Sequence, residues 1–162
     1  MAMLLSGGLV FDGEREVFDG HGILVEGDRV SRVAPVHEFE GFDGERIDTS
    51  GGTAMPGLYD CHVHLVYDGA PDPYAAMSKM TDADIVMAAL ANAQKALRGG
   101  VTSVRDCGGK DYLEFAVRDS VNARKFLGPT INAAGRMICM TGGHGNRMGR
   151  VADGCDEVIK AV

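Results

Sequence analysis

The chain of 162 residues is acidic, with a formal net charge of −7 and an isoelectric point near 5.1. Nucleic acids and anionic membrane surfaces attract clustered lysine and arginine, so this charge balance argues against both as partners. No apolar run approaches the roughly 20 residues that span a bilayer, and the first residues lack the basic start of a signal peptide. We therefore expect a cytoplasmic protein.

The four cysteines are widely spaced and form no C-x-x-C motif; they are Cys61, Cys107, Cys139 and Cys155. This spacing favours four reduced thiols over a disulfide framework or a zinc ribbon. Small buried side chains are the simplest interpretation of all four.

The first 54 residues are predicted to form a small β module without helices. Leu4–Phe11 is apolar enough for one strand. Gly22–Glu26 and Arg29–Ala34 flank a two-residue turn, which is typical of a β-hairpin. The second arm interrupts strict alternation, so a bulge is expected there. Arg46–Thr49 is a further short strand.

Beyond this module, strands alternate with helices. The predicted strands are Leu58–Leu65, Val101–Asp106 and Pro129–Ala134, and the predicted helices run to about Arg98, over Tyr112–Phe126, and from Cys155 onward. Such alternation indicates right-handed βαβ crossovers and a parallel sheet. A glycine-rich, polar loop is expected over Gly135–Gly154.

The helix boundaries have local signals. Thr81 is a predicted N-cap, and Asp84, three residues later, gives a start like a capping box. Gly99 and Gly100 end this helix. In the second helix, the expected buried side is Leu113, Ala116, Val117, Val121 and Phe126.

Two histidines mark the first strand of this second part. Because a strand alternates its side chains with period two, Asp60, His62 and His64 are expected on one face. Two adjacent imidazoles suggest a metal site, and the alternative is a polar strand surface. In parallel α/β architectures functional groups gather at the carboxyl ends of strands. Asp106 and His144 are expected at that same rim.

Three stretches resemble a known family. Gly52–His64 contains Pro-Gly followed by Asp60-Cys61-His62-Val63-His64, which resembles the P-G-x-x-D-x-H-x-H signature of the amidohydrolase superfamily. Gly99–Gly109 resembles the strand-two motif of that superfamily, and Thr141–Gly145 resembles its T-G-G-H-G loop. Together the last two resemble the branch of imidazolonepropionase-related proteins, prolidase-like dipeptidases and Xaa-Pro or Xaa-Arg carboxypeptidases.

The resemblance implies an α/β fold: the N-terminal part of a (β/α)8 barrel, with its first three βα units, preceded by a small β-sandwich module. The expected domains are residues 1–54, as part of a composite β-sandwich, and residues 55–162, as the barrel units. The last helix has barely begun at Val162, so we expect the chain to be the first part of a longer barrel.

The same resemblance implies the site. His62 and His64 are the expected metal ligands, for one or two zinc ions per complete chain, and Asp60 is expected to orient a histidine ring. His144 is expected to contact substrate. No catalytic residue can be assigned, because the proton-shuttling aspartate is expected beyond Val162. Arg105 and Asp106 form either a structural pair or part of the pocket.

The implied activity is hydrolysis of an amide bond in a dipeptide or N-acyl amino acid by metal-activated water. One alternative is a cyclic-amide hydrolase of the imidazolonepropionase type. Another is a catalytically silent fragment of a larger amidohydrolase. The expected partners are a small peptide or amide substrate, and either further copies of the chain or the remaining part of the barrel.

Overall fold

The computed structural model describes residues 2–162. The chain divides into two compact units, Met1–Pro56 and Gly57–Val162. Within the described residues, no helix is long and apolar enough to cross a membrane.

The first unit is built from two small sheets. Its strands are β1 (Ala2–Ser6), β2 (Leu9–Phe11), β3 (Val17–Phe18), β4 (His21–Glu26), β5 (Arg29–Pro35), β6 (Glu45–Asp48) and β7 (Thr53–Ala54). One sheet has the order β5-β4-β1-β6 and the other the order β3-β2-β7. Both sheets are mixed, because β1–β6 and β2–β7 pair in parallel and the other pairs are antiparallel.

The predicted hairpin is confirmed as the β4–β5 pair, including its irregularity. The register shifts between Leu24 and Val25, which pair with Arg32 and Val30 and leave Ser31 as the extra residue of a bulge. A 3-10 helix over Val36–Phe39 was not predicted.

The single strand predicted over Leu4–Phe11 is wrong, since this segment forms β1 and β2 in different sheets. The break is at Gly7, whose φ of +102° lies outside the strand region. At Gly8 the backbone passes so close to Thr49 that an added Cβ would lie 2.2 Å from the carbonyl oxygen of Thr49.

The second unit follows the predicted alternation of strands and helices. Its elements are β8 (Leu58–Val63), α1 (Pro73–Met77), α2 (Asp82–Arg98), β9 (Val101–Asp106), α3 (Leu113–Asn122), β10 (Thr130–Ala133), β11 (Ile138–Cys139), β12 (Arg150–Val151) and α4 (Cys155–Ala161). The main sheet has the order β10-β9-β8, with both pairs parallel. The parallel sheet predicted from the alternation is therefore confirmed.

Apolar packing between α2, α3 and the sheet forms the core of this unit. Its buried members include Ile85, Ala89, Ala93, Val104, Val117, Val121 and Ile131. The predicted capping box is present at the start of α2: Thr81 Oγ1 accepts from the Asp84 backbone N–H, and the Asp84 carboxylate accepts from the Thr81 N–H. These two local contacts satisfy backbone donors that the helix leaves unpaired.

Several local predictions for this unit need correction. Helix α3 ends at Asn122 rather than Phe126, because Arg124 adopts a left-handed conformation with φ +58°. Phe126 is consequently 50% exposed instead of buried. The segment predicted as a loop over 135–154 contains the parallel pair β11–β12.

The cysteines are all free thiols, as predicted, but none of them is buried. Cys61 and Cys155 are exposed, and Cys107 and Cys139 are partly exposed. Cys61 is exposed because β8 is an edge strand of the sheet in the described chain.

Candidate functional site

The two histidines lie together at the end of β8. Their ring centroids are 5.4 Å apart, with the ring planes at 71°. His62 belongs to the strand and is exposed, whereas His64 follows its last residue and is partly buried. The pairing of β8 with β9 shifts register between Asp60 and Val63. The juxtaposition of the rings therefore depends on this irregular strand end rather than on regular alternation alone.

The ring of His64 is held by a backbone carbonyl. Its Nδ1 lies 2.7 Å from the carbonyl oxygen of Gly108, in the turn that follows β9. A carbonyl oxygen can only accept, so the contact requires a hydrogen on Nδ1. In the neutral ring, the lone pair available to a ligand is then on Nε2.

Asp106, the last residue of β9, accepts hydrogen bonds from the backbone on both sides of the contact between His64 and Gly108. One carboxylate oxygen, Oδ1, accepts from the backbone N–H of Gly108 at 2.8 Å, and the other, Oδ2, accepts from that of Leu65 at 2.9 Å. The side chain is 0% exposed. Asp106 thus ties the residue after His64 to the residue whose carbonyl holds the His64 ring.

The suggested pairing of Arg105 with Asp106 is wrong. Arg105 is exposed, whereas Asp106 and Val104 are buried on the other face of β9. Consecutive strand residues point to opposite faces, so these two side chains diverge. The alternation of side chains along β9 is sufficient to predict that Arg105 and Asp106 lie on opposite faces.

Asn92 of α2 supports the segment that follows the histidines. Its Nδ2 donates to the carbonyl oxygens of Leu65 and Tyr67, each at 2.9 Å. The two contacts together use both hydrogens of the Asn92 amide. The backbone from His64 to Tyr67 is therefore held by a helix on one side and by Asp106 on the other.

A second buried carboxylate, Glu114 of α3, lies beneath the turn after β9. It is 0% exposed, and neither of its oxygens has a hydrogen-bond partner within residues 2–162. Burial raises the pKa of Glu114 above its ordinary value, and the nearby Asp106 carboxylate raises it further. Gly109 gives the carboxyl group its space, since a Cβ there would lie 2.1 Å from Oε2.

The remaining sequence-predicted residues are placed less centrally. Asp60 is exposed, and its Oδ1 accepts from the backbone N–H of His62 at 3.1 Å rather than from a ring nitrogen. His144 is exposed in the segment between β11 and β12. Within the described residues no ring contact or side-chain hydrogen bond joins His144 to the histidine pair. The orienting role of Asp60 and the substrate role of His144 stay predictions.

The donor set fits a metal ion in part. The two imidazoles are adjacent, and the free Nε2 of His64 is a suitable zinc donor. Zinc in proteins takes three or four protein ligands. Over residues 2–162, no group of three or more His, Cys, Asp or Glu side chains is placed to hold an ion. The described residues therefore bring two candidate donors together, without a third.

Sequence reasoning missed the supporting residues of this site. Asn92 and Glu114 carried no signal, because an amide or a carboxylate in an amphipathic helix reads as a solvated residue. The Gly108 carbonyl could not be recognised from its residue type. Asp106 was recognised as lying at the rim, and the same-face position of Val104 would have indicated its burial.

Comparison with known proteins identifies the family of the chain. The model of the Amidohydrolase family matches residues 53–162. Among curated relatives, an imidazolonepropionase of Chromobacterium violaceum is 41% identical over 54 residues, which are 32% of this chain and 13% of that protein. The chain thus spans only a small part of the length of this relative.

Solved structures match over almost the whole chain. A prolidase in complex with N-methylphosphonate-L-proline has a TM-score of 0.81 and 28% identity, covering 99% of this chain and 43% of that one. A Xaa-Pro dipeptidase with bound methionine has a TM-score of 0.75 and 28% identity, covering 97% and 38%. With the family model matching more than half of its length, the chain belongs to the amidohydrolase family.

Proposed function

We propose that the complete protein is a metal-dependent hydrolase that cleaves the amide bond of a dipeptide or N-acyl amino acid. The observation that carries the proposal is the pair of adjacent imidazoles, one of which is held through Nδ1 with Nε2 left free. The prolidase and Xaa-Pro dipeptidase that resemble this chain over 99% and 97% of its length support a peptide-like substrate.

In this proposal, residues of this chain bind the metal ion, orient its ligands and contact the substrate. His62 and His64 are metal ligands, for one or two zinc ions per complete chain. A bound zinc ion would lower the pKa of a coordinated water to about 7 and polarise the scissile carbonyl. Asp106 and the Gly108 carbonyl keep the His64 ring in one orientation, which raises the precision of ligation. Asp60 orients the strand end through the His62 N–H, and His144 contacts the substrate.

The organisation of the complete protein is part of the proposal. Residues 55–162 would supply the first three βα units of a (β/α)8 barrel, and residues 1–54 part of a β-sandwich. An apolar cavity of about 510 Å³ supports the assignment of residues 1–54 to a β-sandwich. Side chains from both sheets of the first unit line this cavity, among them Phe18 and Ile23. Further strands or further copies of the chain would cover such a surface.

One alternative is hydrolysis of a cyclic amide. The local identity of 41% to an imidazolonepropionase favours it, although over only 54 residues. The other alternative is a catalytically silent chain, and the absence of a third ligand from the described residues favours that one.

A single set of measurements separates these functions. The protein expressed from its natural gene is analysed by intact mass and elemental analysis, and then assayed with dipeptides, N-acyl amino acids and cyclic amides. We expect one to two zinc ions per chain and turnover of the first two substrate groups. Turnover of cyclic amides alone would favour the first alternative, and a metal-free, inactive protein the second. His62→Asn and His64→Asn should each lower the metal content.

A further inference from the structure

A cavity in the second unit lies beyond the aromatic residues that follow the histidine pair. Its volume is about 450 Å³, which falls within the range of small-molecule sites, about 300–1,000 Å³. Side chains from α1 and its C-terminal end form one side. Two cationic side chains from other segments, Lys110 and Arg147, also line it.

The lining combines two cationic side chains with apolar side chains and the hydroxyls of Tyr74 and Ser78, and no carboxylate is among its residues. Lys110 donates to Asp82 at 2.6 Å, but Asp82 is 63% exposed and uses only one of the three ammonium hydrogens. Arg147 lies over the ring of Tyr74, with Cζ 5.7 Å from the centroid. Within residues 2–162 it forms no ion pair and no side-chain hydrogen bond. Arg147 is exposed, so its guanidinium donors are accessible to an anion from solvent.

Consecutive ring contacts connect this cavity to the histidine pair. The centroid of His64 is 5.6 Å from that of Tyr67, which is in turn 5.5 Å from that of Tyr74. The hydroxyl of Tyr67 also donates to the sulfur of Met148, the neighbour of Arg147, at 3.5 Å. The cavity, which Tyr74 lines, is therefore linked to His64 through the ring of Tyr67.

We propose that this cavity binds a carboxylate on a part of the substrate remote from the scissile amide. The fork of Arg147 offers two parallel donors to a carboxylate, and Lys110 adds a point charge. Met77 and Met80 in the lining pack against the apolar chain that carries the carboxylate. The inference rests on the proposed function and adds its substrate class, N-acyl amino acids or dipeptides with an additional acidic group.

The test compares acidic and neutral substrates in the complete, metal-loaded protein. N-acyl-leucines with terminal carboxylates, from succinyl to suberyl, are assayed beside neutral acyl chains of matched length. We expect one chain length to have a KM at least ~10-fold lower than its neutral counterpart, the usual order for a charge-assisted bidentate contact. Arg147→Gln should remove this advantage by raising KM with little change in kcat. Arg147→Lys should restore part of it, and the control Arg98→Gln should change nothing.

A binding measurement separates this inference from the proposed function. Adipate and neutral adipamide are titrated calorimetrically into the complete protein and into Arg147→Gln. We expect adipate to bind the wild type at least ~10-fold more tightly than it binds the variant, and adipamide to bind both equally. If no substrate is hydrolysed, the proposed function is wrong. The titration still shows whether the cavity binds a carboxylate through Arg147. Equal adipate affinity of wild type and Arg147→Gln, or equal KM values for acidic and neutral chains, would overturn the inference.

Discussion

The imidazole of His64 and the backbone carbonyl of Gly108 are 44 positions apart in the sequence, and Nδ1 and the oxygen are 2.7 Å apart in space. The turn after β9 thus sets the orientation of a ring that follows β8. Metal ligands in proteins commonly depend on such outer contacts, which fix the ring and its tautomer. Under the proposed function, a change in this turn should therefore alter the metal content of the complete protein.

Gly108→Ala is expected to displace this carbonyl. Gly108 has φ +134°, and an added Cβ would lie 2.5 Å from Cγ of Met137. We expect a loss of about 1–3 kcal/mol in the free energy of unfolding, measured by urea titration, together with a lower zinc content by elemental analysis. Gly142→Ala is the control, since Gly142 also has a positive φ, +70°, but open space around it. A full zinc content in Gly108→Ala would contradict the orienting role.

Asp106→Ala should destabilise the second unit. The change leaves the N–H groups of Leu65 and Gly108 buried without an acceptor, at about 1–3 kcal/mol for each group. Asp106→Asn keeps one acceptor and should cost less. Chemical denaturation followed by circular dichroism measures both changes. The neighbouring Arg105→Ala, on the exposed face, should stay within about 0.5 kcal/mol of wild type, and an equal loss in that variant would refute the assignment.

Glu114→Gln should change the pH dependence of stability. The pKa of Glu114 is raised by burial from its ordinary value of 4.5, so the folded state holds its proton more firmly than the unfolded state does. The contribution of Glu114 to the free energy of unfolding of the wild type is then fully present below pH 4.5. It is lost as the pH rises through the pKa of Glu114 in the folded state. Because glutamine does not titrate, the stability of Glu114→Gln relative to wild type should increase above pH 4.5.

Urea titrations at pH 4, 6 and 8 measure this trend. Asp156→Asn is the matched control, because this carboxylate of α4 is exposed in the same unit. A difference between Glu114→Gln and wild type that is constant over this range would show that Glu114 titrates normally in the folded state.

His144→Asn is predicted to lower turnover in the complete protein without lowering its metal content. The expectation rests on the proposed contact with substrate, and the loss of one polar contact to a developing oxyanion reduces kcat by on the order of 100-fold. Steady-state kinetics and elemental analysis measure the two effects. His37→Asn, an exposed histidine of the first unit, should alter neither quantity. Unchanged kinetics in His144→Asn would remove His144 from the site.

The sequence alone determined the features that depend on neighbouring residues. Strand β9 was predicted with its observed bounds, Val101–Asp106, and the hairpin β4–β5 with its bulge. The start of α2 was predicted because both partners of its capping box lie within three residues. The histidine motif was recognised in the same way, since Asp60, His62 and His64 occupy a single short segment.

Only the tertiary structure decided which groups support the histidines. The contacts from Asp106 to Leu65 and from Gly108 to His64 join residues 41 and 44 positions apart, and they exist because β8 and β9 pair with a shifted register. Periodicity assigns a side chain to a face of its own strand, but it does not specify the register with the next strand. The sequence therefore predicted His64 from its motif, but it did not predict the backbone carbonyl of Gly108 that orients the ring.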